Sequence, residues 1–545
     1  MTRSSPPSWR DTTRVLLTRG EFDVLVIGGG ITGAGVARDA ARRGLQTALL
    51  EARDFASGTS SRSSRLVHGG VRYLEHGYLR LVFESSRERR TLLRIAPHLV
   101  RPLAFTWPVY RGARVSRVKL AAGMALYDLL ALFRNVAMHR PLSAEGVLAA
   151  EPTLRREGLT GGVRYFDAAT DDARLTLANV VDAAEAGALV LNHAPVTAFL
   201  RQGRRIVGVE ARDALADVEF SVRARVIVNA TGPWSDTLRR LEQADVVPAV
   251  RGSRGAHIAV RRERLGNRAA VTLLHPVDGR VFFALPAGER AIVGTTETAA
   301  TADPAEVRAS REEVRYLIDA ANHYFPAAAL GERDVIAAWA GVRPLAASLV
   351  GSDTLSASRE HSVLAGPGGV LHVTGGKLTT YREMAEQIVE QVIAQLGRPA
   401  PRPPSTATRP LPGGEAPLDE VRRQAEPVIA DAAVRERLVC AHGTRWRAVW
   451  ALAARDPRLG ERVVPDLPYV AAEYVHAASR EMAESLGDLL IRRTPAAFAR
   501  SDQARELAPV VARLVAPVLG WDDRRTAREM EAYEQEVSRM FAIDA

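Results

Sequence analysis

Residues 22–33 read FDVLVIGGGITG, and this run constrains the fold more than any other stretch of the chain. The mostly apolar segment 22–27 has the length and continuity of a buried parallel strand. The turn Gly28-Gly29-Gly30-Ile31-Thr32-Gly33 follows at once. Residues 31–43 then show helical spacing with Ala-rich small faces and stop at Gly44, and 47–50 form a second apolar strand closed by Glu51. This order makes one βαβ unit. Gly28 permits a tight turn, Gly30 lets a pyrophosphate approach the backbone, and Gly33 lets the helix pack close to the strand. The helix start offers N–H groups and the positive end of its dipole to phosphates. Glu51 is placed to accept from ribose hydroxyls, which argues against a 2′-phosphate.

The fingerprint alone does not separate FAD from NAD. Two later segments bear on the choice. Asn229-Ala230-Thr231-Gly232 ends a buried strand at 225–230, and Gly375-Gly376 lies between a strand at 370–373 and a helical pattern at 380–395. Each offers small residues where a chain can pass close to a cofactor, and the second gives another helix start aimed at the same region. The middle of the chain is rich in antiparallel pattern, including a hairpin signal across 280–296. Residues 397–417 are Pro/Gly-rich and read as a linker, and 418–545 read as helices without strand alternation.

Length and composition narrow the class. The chain has 545 residues and a single cysteine, Cys440, which excludes an intrachain disulfide framework and a cysteine-built metal site. No apolar stretch reaches the ~20 residues of a membrane span. The nearest, 120–133, is too short and carries Asp128. The first twenty residues lack the apolar core of a secretory signal; they read as a short disordered leader, and their Arg/Ser/Thr-rich pattern also fits a transit peptide. Net charge is +10, and all but two of the 73 basic residues are arginine; the exceptions are Lys119 and Lys377. A solvated mixed surface is the ordinary reading of such a balance, and no motif supports nucleic acid.

Several blocks together resemble the FAD-dependent glycerol-3-phosphate dehydrogenases, within the D-amino-acid-oxidase-like flavoproteins. They are DVLVIGGGITGAGVARDAARRG (23–44), SGTSSRSSRLVHGGVRYLE (57–75), DDARL (171–175), NATGPW (229–234), GSRGAHI (252–258), GTTE (294–297), GVRPL (341–345) and TGGKLTTYREMAE (374–386). The blocks occur in the family's order, and EMAESLGDLLIRRT (481–494) resembles part of its helical C-terminal domain. The resemblance implies an α/β fold: a Rossmann-like FAD-binding domain (20–110, 160–245 and 350–396) interleaved with an antiparallel-sheet substrate domain (111–159 and 246–349). The linker 397–417 and an all-α C-terminal domain (418–545) follow.

The same resemblance implies non-covalent FAD held by Gly28, Gly30, Gly33, Glu51, Ser60, Ser61, Arg65, Leu66, Thr231, Gly232, Gly375, Gly376, Leu378 and Thr379. Arg65 departs from the lysine that many relatives carry before the LVHGG-like stretch. His68, in HGG, is not a covalent flavin link in this family. The implied reaction oxidises the C2 hydroxyl of glycerol 3-phosphate, with Lys377, Arg343 and His257 catalytic and Arg72, Tyr73 and Arg359 binding substrate. Arginine suits a phosphate dianion because its planar fork pairs two oxygens. Lys377 stands out in a chain that almost always uses arginine; a compact ammonium there can hold the substrate oxygen or offset negative charge on the reduced flavin. His257 is the imidazole placed for proton transfer, although a histidine beside an apolar strand is ordinarily a packed core residue. Tyr73 reads either as a phosphate donor or as core.

Electrons leave toward a membrane quinone in dehydrogenases of this kind, or toward oxygen in oxidases of the same fold, which act on glycerol 3-phosphate or an amino acid. The expectation is a quinone-type enzyme, cytoplasmic and peripheral on the inner face of the cell membrane, with a homodimer possible. The stretch 120–133, preceded by Arg111, Arg114, Arg117 and Lys119, fits a contact with an anionic membrane surface and equally a core helix with a basic flank. A rival of another class is a non-catalytic flavin- or nucleotide-binding module whose basic surface binds lipid or nucleic acid.

Overall fold

The computed structural model describes residues 9–70, 78–132, 135–300, 303–347 and 361–544. They form two compact units, each assembled from three separate stretches of chain. The first comprises Met1–Ser61, Asp172–Gly252 and Arg343–Pro412; the second comprises Arg62–Asp171, Ser253–Val342 and Gly413–Ala545.

At the centre of the first unit lies the strand Glu21–Ile27, buried from Phe22 onward. It pairs in parallel with Thr47–Leu50 on one side and Val218–Asn229 on the other. Leu189–Leu191 and Leu371–Thr374 extend this sheet in parallel, and Ser362–Ala365 closes one edge antiparallel. Continuous burial explains the unbroken apolar runs, since both faces of a parallel sheet are covered. Val218–Asn229 shows the change within a single strand. Its first half alternates exposed and buried residues and pairs antiparallel with Arg205–Asp213, while its last four residues are all buried.

Register aligns the strand ends that matter. Ile27 lies opposite both Leu50 and Asn229, and Asn229 lies opposite His372. The turns that follow these strands therefore emerge at one carboxyl edge, where ligands bind in open parallel sheets. The helix Ile31–Arg42 packs against Asp172–Glu185 and Tyr381–Leu396. Buried Arg38 holds this layer through a 2.6 Å ion pair with Asp182.

The segment read as a linker begins as part of this unit. Arg398 pairs with Asp23 at 2.6 Å, the Arg402 amide donates to the Arg43 carbonyl, and Thr406 donates to Asp39. A Pro/Gly-rich composition signals absent regular structure, not absent hydrogen bonds.

The second unit is built on a ten-stranded sheet with a largely antiparallel meander, Val250–Arg261, Arg290–Gly294, Val281–Ala287 and Ala270–Leu274. Val100–Tyr110 pairs parallel with Ala270–Leu274 and antiparallel along its whole length with Leu159–Thr170. The division falls at Arg62 and Asp171, and the ladder of Val100–Tyr110 with Leu159–Thr170 lies in this unit, outside the nucleotide domain that the resemblance implies for 20–110 and 160–245. Leu66–Val67 pairs with Ala168–Ala169 at the sheet's end. From Leu418 to Phe541 the chain is helical, and Trp339 of the sheet meets Phe498 of this region edge to face at 5.1 Å. Among the described residues no helix is long and apolar enough to cross a membrane.

Candidate active site

In the first unit the glycine turn is a cradle shaped by what it lacks. Gly28 has φ +106°, and its amide donates to the Leu50 carbonyl at 2.8 Å. A Cβ at Gly33 would stand 1.8 Å from the Gly28 carbonyl oxygen, so only a bare backbone lets the helix start here. Ser60 Oγ accepts from the Ile31 amide at 3.0 Å and caps the first turn from a distant loop. Ser61, in the same loop, is buried. One Glu51 carboxylate oxygen accepts from the Gly29 amide at 2.5 Å and the other from the Arg53 amide at 2.9 Å. Burial pushes the Glu51 carboxyl above its ordinary range, and the two amides oppose that rise. The fit to a dinucleotide is direct: a Cβ-free backbone for the pyrophosphate, a positive helix end, and an acceptor for ribose hydroxyls.

Beside the cradle runs a buried polar chain that sequence reasoning missed. Thr231 donates through Oγ1 to Asn229 Oδ1 at 2.7 Å. Asn229 Nδ2 lies 2.9 Å from His372 Nδ1, and His372 Nε2 lies 2.5 Å from Glu242 Oε2. Asn229 stood in the NATGPW block, but His372 lies 143 residues on from it and Glu242 lies 130 residues from His372, so neither carries a local signal. The chain fixes the turn at Thr231 and Gly232 from behind. Gly375 and Gly376 follow Thr374 with φ +73° and +97°. They turn the chain so that half-buried Lys377 and Leu378 and buried Thr379 precede the helix Tyr381–Leu396. Arg343, on Val335–Ala346, is half-buried.

His257 belongs to the second unit. It is 2% exposed, stacks on Trp339 at 5.4 Å, and holds its Nε2 2.8 Å from Ser64 Oγ. Ser64 lies inside a quoted block, yet nothing in its local sequence marks it as the partner of a residue 193 positions on. The Gly294 position lies so close that a Cβ there would meet His257 Cδ2 at 2.3 Å. Two expected cofactor residues also fall in this unit. Arg65 sets its guanidinium over the Phe498 ring at 4.6 Å, and Leu66 is packed in the hydrophobic core. The HGG turn is anchored where the Gly69 amide donates to Asp167 Oδ1 at 3.0 Å, and Tyr127 donates to the same oxygen at 2.8 Å. Arg89 completes that cluster by an ion pair with Asp167. Arg72, Tyr73 and Arg359 lie outside the described residues.

A parallel sheet with a glycine cradle and an acidic strand end defines a dinucleotide-cofactor oxidoreductase fold. Comparison with known proteins agrees. Residues 23–382 match the family described as FAD dependent oxidoreductase, and 404–526 match the C-terminal domain of alpha-glycerophosphate oxidase. The chain is 39% identical to glycerol-3-phosphate dehydrogenase 2 of Mycobacterium tuberculosis over 526 residues, covering 95% of this chain and 89% of the relative. It is 36% identical to the glycerol-3-phosphate dehydrogenase of Synechocystis sp., covering 94% and 96%. The crystal structure of the glycerol-3-phosphate dehydrogenase from Bacillus halodurans complexed with FAD matches with a TM-score of 0.81 and 33% identity, covering 97% of both chains. The chain therefore belongs to the FAD-dependent glycerol-3-phosphate dehydrogenase family.

Proposed function

We propose that this chain oxidises sn-glycerol 3-phosphate at C2 to dihydroxyacetone phosphate and passes the electrons to a membrane quinone. The single observation that carries the substrate is the end-to-end likeness to relatives named for it. The first unit's cradle supports the cofactor: Gly28, Gly30 and Gly33 hold the pyrophosphate, Glu51 the ribose, and the turns at Thr231–Gly232 and Gly375–Thr379 the remainder. Bound flavin supplies a hydride acceptor for the C2 hydrogen.

The chain's own residues do the rest. Arg343, with Arg72 and Arg359, neutralises the phosphate dianion, and Tyr73 donates to one of its oxygens. Lys377 places its ammonium on the C2 oxygen. His257 accepts the hydroxyl proton; its bond to Ser64 and its stacking on Trp339 fix the ring plane and keep bulk water off it. The helix Arg117–Leu130 supports a site on the inner face of the cell membrane. It buries Tyr127 while Val118 is 80% and Leu129 51% exposed, and Leu132 just beyond is 53% exposed, beside Arg111, Arg114, Arg117 and Lys119.

The test is an anaerobic titration of the purified holoenzyme with glycerol 3-phosphate, followed by visible absorbance. Bleaching of the flavin bands at one equivalent is expected. Oxidised flavin that ignores this substrate overturns the assignment. A second reading, oxygen as acceptor, is favoured by the match of 404–526 to a domain described from an oxidase. Peroxide formed at the rate of substrate oxidation would establish it; quinone reduction without peroxide would dismiss it.

A further inference from the structure

The helical part of the second unit carries a cluster that alcohol oxidation does not use. His442 closes the helix Ala432–His442, His476 lies within Ala471–Arg480, and Glu481 directly follows that helix. One ring nitrogen from each histidine and one carboxylate oxygen of Glu481 all lie within 4.8 Å of one another. His442 and Glu481 are buried, His476 is half-buried, and the two imidazole rings cross at 89° with centroids 5.6 Å apart.

We propose that His442, His476 and Glu481 bind one divalent cation of the zinc class, which ties these two helices together. Two imidazoles and one carboxylate are a ligand set that suits Zn²⁺, with a fourth position left for water. Bonds of about 2.0–2.2 Å in tetrahedral array put ligand atoms roughly 3.3 Å apart. His442 Nδ1 and Glu481 Oε1 are already 3.6 Å apart, so that edge needs almost no adjustment. The other two edges are within 4.8 Å and close by at most about 1.5 Å on binding.

The surroundings fit a metal-bound histidine. Glu473 Oε1 lies 3.4 Å from His442 Nε2 and accepts from Arg437 Nη2 at 2.6 Å. A carboxylate on the outer nitrogen of a histidine places the proton there and turns the lone pair of the inner nitrogen toward the metal. Glu473 is 1% exposed, and its Oε2 has no hydrogen-bond partner among the described residues. The Arg437 guanidinium on Oε1 answers that buried charge and keeps the carboxylate ionised. Arg493 donates to the Glu481 backbone carbonyl at 2.9 Å, which holds the end of the helix in place. The competing occupant is a proton, which would make His442 an imidazolium between two carboxylates.

The experiment uses FAD-loaded full-length protein, dialysed against a chelator and then titrated with Co²⁺. It reads ligand-field bands beyond the flavin absorption together with metal content. Expected is one Co²⁺ per chain with bands of a tetrahedral site, displaced by Zn²⁺, and an unfolding midpoint that rises with added Zn²⁺. His476→Ala and Glu481→Gln should keep their FAD yet lose at least tenfold in Co²⁺ affinity and lose the Zn²⁺-dependent rise. His442→Ala removes a buried side chain, so the half-buried His476 decides the matter if that variant fails to fold. Substoichiometric Co²⁺ in the unaltered protein, or equal uptake by His476→Ala, overturns the proposal and assigns the cluster to a proton.

Discussion

Replacing Gly33 by alanine tests the cradle where the structure is least forgiving. The new Cβ would lie 1.8 Å from the Gly28 carbonyl oxygen, 3.0 Å from its carbon and 3.3 Å from Ala230 Cβ. A carbon–oxygen contact relaxes to at least roughly 3.3 Å, so the helix must retreat by about 1.5 Å. The obstructing atoms are backbone in a tight turn and cannot swing aside. Overpacking of this kind costs about 1–3 kcal/mol, and a fixed obstacle puts the site near the upper figure. Since every 1.4 kcal/mol is a factor of ten, FAD binding should weaken by roughly 10²-fold. The control is Gly123→Ala on the helix Arg117–Leu130, where a Cβ would meet nothing within 4 Å. That change should leave FAD affinity alone and stabilise the helix by about 0.5–1 kcal/mol. The assay removes FAD from each protein and follows quenching of flavin fluorescence on reconstitution. If Gly33→Ala binds FAD within threefold of the unaltered protein, the close-packing argument is wrong.

Three further outcomes follow from the same structure. Gly294→Ala brings a Cβ to 2.3 Å from His257 Cδ2, so it should push the ring off Trp339 and Ser64 and cut turnover at least tenfold with FAD content unchanged; normal turnover would show that ring placement is irrelevant. Lys377→Ala should bind FAD and lose most turnover, and full activity in that variant would remove the lysine from the mechanism. Burial acts to raise the Glu473 carboxyl, yet the Arg437 guanidinium beside it and the hydrogen bond from His442 win and hold it at about 2, below the ordinary 4.5. The folded value is the lower one, so its stabilisation of about 3 kcal/mol is complete above pH 4.5 and is lost as pH falls toward 2. Thermal unfolding across that window should steepen in the unaltered protein relative to Glu473→Gln, and parallel curves would contradict it.

The sequence by itself determined the first βαβ unit of this protein to within a residue or two. The strand at 22–27, the turn at 28–33, the helix from Ile31 and the strand 47–50 ending at Glu51 all appear where the pattern puts them. They were legible because each contact is local: a glycine turn, a helix start and two short apolar runs within thirty residues. The hairpin Val281–Ala287 and Arg290–Gly294 was readable for the same reason. What remained closed were pairings between residues far apart along the chain. Ser60 caps a helix 29 residues upstream, Ser64 meets His257, and Asn229 meets His372. A serine or asparagine in a loop carries no mark of its partner, because a hydrogen bond costs the sequence only one polar residue at each end. The interleaving was expected, but not where its boundaries fall: only the ladder of Val100–Tyr110 with Leu159–Thr170 decides which sheet those two strands join. Local chemistry writes itself into consecutive residues, whereas the choice of partner is made by burial and register in the folded chain.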